Sequence, residues 1–195
     1  MRNFFKKKNK NKGFTLVETL VAISIFTVSI LALLSILTQG ISNVSYAKKK
    51  IIASYLAQEG IEYIRNMRDT FALFDSIDSQ RGWDLFNVKL AGASCQAANG
   101  CYFGDLDADD FTNPNQPMTG ITVAICGPSC PPLLYNEATG KYGYTAAGLD
   151  SGFVRQVRTQ INSADEIKIF STVSWTQGSG RYNITFSENL FNWME

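Results

Sequence analysis

The side chains in this chain that could do chemistry fall into a few groups. Glu18 is the only charge in an otherwise apolar run from Phe14 to Leu37. An ionised carboxylate there needs a cationic partner or a route to an interface, so its chemistry is charge pairing. Cys95, Cys101, Cys126 and Cys130 form an even set in the body of the chain. Even sets in an oxidising compartment form disulfides. Asp105, Asp107 and Asp109 fall at the first, third and fifth offsets of a calcium-binding loop. The chain has no histidine, which excludes Ser-His-Asp and Cys-His catalysis and any histidine-ligated metal. No Gly-rich phosphate loop is present either, so the sequence reads as a non-enzyme.

Each metal reading weakens on inspection. In the acidic stretch the sixth loop position is Asp110 where glycine belongs, and the twelfth is Gln116 where glutamate belongs. A solvated acidic turn is the better reading, with calcium at Asp105, Asp107 and Asp109 as the alternative and no other cofactor expected. The cysteine spacings, C-x5-C and C-x3-C, differ from the C-x2-C knuckles of zinc sites. Three disulfide connectivities are available to four cysteines. The local pairs Cys95–Cys101 and Cys126–Cys130 are favoured, because each closes a short loop where core packing is thinnest.

These groups need elements to position them. Of 18 basic residues, six (Arg2, Lys6, Lys7, Lys8, Lys10, Lys12) precede Gly13 and no acid does. The remainder holds 12 bases against 17 acids, a net charge of −5. A nucleic-acid partner is therefore not expected; the basicity belongs to the leader. The 24 residues from Phe14 to Leu37 lack Gly and Pro. As a helix they would run roughly 36 Å, enough for a hydrocarbon core of ~30 Å. Thr15, Thr19, Ser24, Thr27, Ser29 and Ser35 can bond back to their own helix. The leading lysines favour a cytoplasmic N-terminus, and Lys48, Lys49 and Lys50 beyond the span oppose it less strongly. A cleaved secretory signal would show a shorter apolar core and small residues after it.

The stretch "KGFTLVETL" resembles the N-terminal signature of type IV prepilins and pseudopilins: a basic leader, Gly13, Phe14, and Glu18 at the fifth position after the glycine. The resemblance implies that a membrane peptidase cuts between Gly13 and Phe14 on the cytoplasmic side and methylates the new amine of Phe14. It also implies that Glu18 meets that amine on a neighbouring subunit, setting the register of a fibre. By spacing alone, pairing within one subunit is equally open, since four residues separate the two groups. The stretch "AQEGIEYIRNMRDT" (57–70) looks like the helix continuation of PilV-like minor prepilins. Many type IV pilins carry a proline in the apolar helix; this chain has none there. Some pilin relatives bind calcium in a loop like 105–110.

Past the span, Ile41 and Val44, then Ile51 with Tyr55, Ile52 with Leu56, and Ile64, Met67 and Phe71 keep helical spacing. One helix from about Phe14 to Asp69 is expected, with a weak point at Gly60. From Phe71 to about Asp150 the turn formers dominate and no long periodic helix is expected. Toward the C-terminus, 153–161 reads as a strand. Ile167, Ile169, Val173 and Trp175, then Tyr182, Ile184 and Phe186, alternate with polar positions, and "TQGSGRY" between them reads as a hairpin turn.

The expected class is α+β, a long N-terminal helix laid on an antiparallel sheet, which is also the pilin roll the resemblance implies. The expected organisation is leader 1–13, transmembrane helix 14–37, helix continuation 38–69 and exported head 70–195. The resemblance implies a structural, minor subunit of a type IV pilus or pilus-like fibre. Its partners would be other pilin subunits, the prepilin peptidase and methyltransferase, and inner-membrane lipid before assembly. It would sit in the bacterial inner membrane with its N-terminus inside, then in an extracellular fibre. The alternatives are a type II secretion pseudopilin and a single-pass anchored binding domain.

Overall fold

The computed structural model describes residues 13–74, 79–92, 95–104, 123–144 and 148–192. The chain divides into two units, Met1–Ser45 and Tyr46–Glu195. The first helix, α1 (Leu16–Phe74), passes through both.

In the first unit α1 starts at a capped end. Thr15 Oγ1 accepts the Glu18 backbone N–H at 3.3 Å, and the Thr15 carbonyl accepts Thr19 N–H at 3.2 Å. Inside the apolar run the hydroxyls of Thr19, Ser24, Thr27 and Ser29 donate to carbonyls three or four residues back, and Thr38 does the same. No hydroxyl of that group is left to solvate in an apolar surrounding. Every described residue before Tyr46 is exposed. The large apolar side chains from Phe14 to Val44 range from 40% exposed at Ile30 to 79% at Phe14. By length and composition α1 is long and apolar enough to cross a membrane.

In the second unit α1 behaves differently. Ala53, Leu56, Ala57, Ile64, Met67 and Phe71 are buried at spacings of three and four, the stripe of a helix seated on a core. The helix ends at Phe74 rather than near Asp69, because Phe71 and Ala72 are themselves buried and hold its last turn. The expected weak point is absent. Gly60 lies buried within unbroken helix, and a Cβ there would overlap Ser171 Oγ and come within 3.2 Å of Arg155 Cδ. Glycine at 60 lets the helix backbone approach the sheet closely.

The sheet has seven strands: β1 (Cys101–Phe103), β2 (Val123–Ile125), β3 (Pro132–Asn136), β4 (Lys141–Gly143), β5 (Leu149–Ser163), β6 (Glu166–Gln177) and β7 (Gly180–Phe191). All described pairings are antiparallel. The long β5 is the hub: β6 pairs along it, and β1 and β3 pair with it at Val157 and at residues 149–154. β5, β6 and β7 form a meander, and β6 turns into β7 through Gly178, whose φ of 58° suits a two-residue hairpin loop.

The loop-rich reading of 71–150 needs correction. It holds a second helix, α2 (Ser79–Gly92), and the short strands β1 to β4. Trp83, Phe86 and Leu90 are buried at helical spacing, and Trp83 Nε1 donates to the Ala164 carbonyl at 2.8 Å, tying α2 to the β5–β6 turn. One core joins α1, α2 and the sheet through Ile64, Met67, Phe86, Phe103, Val157 and Ile169. A second gathers Ala53, Leu56, Leu133, Phe153, Val173 and Trp175. The architecture is α+β: a long N-terminal helix and a C-terminal antiparallel sheet.

Candidate functional site

The N-terminal site is short and locally built. Gly13 precedes the helix, and a Cβ there would meet nothing within 4 Å. Its backbone therefore folds without needing glycine. Phe14 follows at 79% exposure, and Thr15 caps the helix. Glu18 stands in the first turn of α1, where a carboxylate is favoured by the helix dipole. Thr15 and Glu18 have the S/T-x-x-E spacing of a capping box. The sequence reading missed the cap at Thr15, although "TLVE" carried the signal. Glu18 therefore does two compatible things: it suits the helix start and places a negative charge one turn beyond the Gly13–Phe14 bond.

The cysteine loops adjoin β1 and β2. Cys95 is disulfide-bonded to Cys101 and Cys126 to Cys130, with Cα–Cα distances of 4.7 and 4.5 Å. All four are buried. Backbone bonds fasten these loops to their neighbours: Thr159 N–H donates to the Cys95 carbonyl and Cys126 N–H to the Gly100 carbonyl, each at 3.0 Å. Asp105, Asp107 and Asp109 lie outside the described residues.

Charged side chains clamp the second half of α1 to the sheet. Arg65 Nη2 donates to Glu188 on β7 at 2.6 Å, and Arg65 Nη1 pairs with Glu62. The hydrogen bond to Glu188 raises the Arg65 guanidinium above its already high range. Lys49 Nζ donates to the Thr176 carbonyl at 3.0 Å. Arg155, on β5, is 5% exposed and reaches Glu59 on α1 at 3.0 Å. Beside that pair is a cavity of about 790 Å³ walled by α1, β3, β4 and β5. Sequence reading did not single out Arg155, since nothing in "FVRQVRTQI" distinguishes an inward arginine from an outward one except its phase with Phe153 and Val157.

Comparison with known proteins bears on the N-terminal site. The family described as the prokaryotic N-terminal methylation motif matches residues 8–34, which include Gly13, Phe14 and Glu18. Type II secretion system protein I of Klebsiella michiganensis is 47% identical over 49 residues, 25% of this chain and 40% of the relative. The chain thus spans about two fifths of the length of that curated relative. No solved structure matches the chain. The N-terminal segment thus carries the prokaryotic N-terminal methylation motif and is similar to the start of a type II secretion system protein I.

Proposed function

We propose that the chain is a structural subunit, in the minor class, of a type IV pilus or pilus-like fibre, with no catalysis of its own. The observation that carries this reading is the methylation motif lying at the start of a helix whose apolar side chains, up to Val44, have no cover from the chain itself. Such a surface is stable only against lipid or against the helices of other subunits.

In this reading Phe14 to Leu37 first spans the inner membrane, with the basic leader inside. Prepilin peptidase cuts between Gly13 and Phe14 and methylates Phe14. The fold leaves Gly13 free of any packing demand, which supports a role for it in the peptidase site. The new ammonium and Glu18 lie about one helical turn apart along the axis. In the fibre the ammonium of one subunit pairs with Glu18 of the next, which fixes the axial stagger. The unit Tyr46–Glu195 is the exported head, and its disulfides Cys95–Cys101 and Cys126–Cys130 form in the oxidising compartment. The similarity to a type II secretion system protein I favours a second reading, a pseudopilin of a secretion fibre. Deleting the chain separates the two: loss of surface fibres marks a pilus, loss of protein export a secretion system.

Glu18→Gln tests the assembly step. Glutamine keeps the spacing to Thr15 that a capping box allows and removes the charge, so the variant should insert, fold and be cut. It should leave an ammonium unpaired, a loss of roughly 3–5 kcal/mol per contact. The protein recovered in sheared fibres, relative to membranes, should fall more than tenfold. Equal recovery for wild type and variant would mean that Glu18 serves only the helix start.

A further inference from the structure

We propose that the end of the second unit where α1 enters it docks on anionic phospholipid headgroups, through Lys48, Lys50 and Arg181 with Tyr46 and Tyr182 beside them. The proposal rests on the reading of α1 as a membrane span whose continuation is exported. Three lysines stand in succession at 48–50. Successive helical positions turn by about 100°, so the three fan around more than half of the helix. Lys49 is pinned, its Nζ donating to the Thr176 carbonyl at 3.0 Å. Arg181 is the register partner of Thr176, which brings a fourth cation to the same place. Lys48, Lys50 and Arg181 are exposed, and no carboxylate pairs with any of them among the described residues. Acids are distant along both segments: the chain holds none between Glu18 and Glu59 and none between Glu166 and Glu188. The β3–β4 turn and the start of β5 bring Glu137, Lys141 and Asp150 to this end of the sheet. Lys48, Lys49, Lys50, Lys141 and Arg181 thus face only Glu137 and Asp150 there, among the described residues. The acidic residues 105–110 follow Phe103, whose ring meets that of Tyr63 at 4.4 Å. Tyr63 lies roughly 21 Å along α1 from Lys49.

Stability does not account for this cluster, because like charges side by side repel. Topology does not account for it either, since positive charge on the exported side of a span works against insertion. A cluster kept against both needs an anionic partner, and its position selects a lipid surface. Lys48 comes 11 residues after Leu37, roughly 16 Å along α1. The headgroup layer takes about 5–8 Å of that distance. The remainder is about one Debye length at ordinary salt, and any tilt of the helix shortens it. The tyrosines point to the same partner. Tyr46 and Tyr182 meet edge to face at 5.1 Å and both pack on Trp175, and Tyr182 stays 38% exposed. Tyrosine beside lysine and arginine is the side-chain set that settles at a membrane–water interface, with an apolar ring and a polar tip. Docking there holds the head against the bilayer before assembly and makes withdrawal of a subunit depend on the lipid.

The test uses the full-length protein inserted singly in lipid nanodiscs, of phosphatidylcholine alone or of phosphatidylcholine with phosphatidylglycerol. A brief pulse of a soluble amine-reactive reagent, read by peptide mass spectrometry, gives a labelling rate for each lysine. Lys48 and Lys50 should label about fivefold more slowly in the anionic discs, and high salt should remove the difference. Lys89 and Lys168, on α2 and near the start of β6, should keep one rate in both discs. Arg181→Gln, an exposed substitution, should raise the rates of Lys48 and Lys50 in anionic discs about twofold, with the melting temperature unchanged. Equal rates for Lys48 and Lys50 in the two discs, or equal slowing of Lys89 and Lys168, would overturn the docking. So would the same slowing produced by inorganic phosphate in neutral discs, which marks a soluble anion. Slowing only in discs that hold several copies would assign the cluster to a neighbouring subunit's acids instead. Failure to insert in either disc would remove the span reading and the docking together, whereas equal labelling of inserted protein removes the docking alone.

Discussion

The two parts of α1 belong to one continuous helix and end in opposite situations. From Phe14 to Val44 the apolar side chains surround the helix and all stand exposed. From Ala53 to Phe71 all but Tyr55 collect on one face and are buried. The first pattern has no preferred side, so it suits a surrounding that is apolar in every direction, as lipid or a helical fibre core is. The second has one side and needs one sheet. The change of pattern is where a helix apolar all round gives way to one with a single face packed on a sheet.

Substitutions at glycines in and before this helix can break or sharpen that contrast. The largest effect is expected at Gly13, where the fold offers open space. Gly13→Val should fold normally yet accumulate entirely as uncut precursor on an immunoblot, because the bulk is felt only in the peptidase site. Normal maturation would remove the reason for a glycine there. Next in size is the head. Reducing and alkylating Cys95–Cys101 and Cys126–Cys130 should cost about 2 kcal/mol per bond, from loops of this size, and lower the melting temperature of the sheet unit. Peptide mapping without reductant should recover both local pairs; free thiols in protein taken from its own compartment would remove the disulfides from the account.

A smaller effect separates the two parts of α1 directly. Gly60→Val forces a branched side chain against Ser171 and Arg155, and should destabilise the head by about 1–3 kcal/mol. Gly40→Ala meets nothing within 4 Å. It should strengthen the helix by roughly 0.5–1 kcal/mol and leave head melting where it was. If both variants melted alike, the two halves would not differ in the way their burial indicates.

The sequence made some of this legible and hid the rest for physical reasons. The meander β5–β6–β7 was readable because Ile167, Ile169, Val173 and Trp175 face one way at every second position, and burial follows that alternation. The strands β1 to β4 are three to five residues long, too short to show a period, and their place is set by partners far along the chain. Helix α2 was hidden by Gly82 and by a polar remainder, with only Trp83, Phe86 and Leu90 to mark its inner face. Gly60 read as a weak point because local propensity speaks against glycine in a helix, while the reason for it, the nearness of Ser171, lies more than 100 residues away in the chain. At the N-terminus the motif was local and therefore readable: Gly13, Phe14 and Glu18 stand within six residues of one another, inside the matched stretch 8–34. Only the cap at Thr15 was overlooked.

The central claim is that the chain is processed as a prepilin, and the intact mass of the protein recovered from its own membranes tests it most directly. The account predicts a chain that begins at Phe14 and carries one methyl group on its amine. A chain that still begins at Met1, or one cut elsewhere with an unmodified amine, would contradict it.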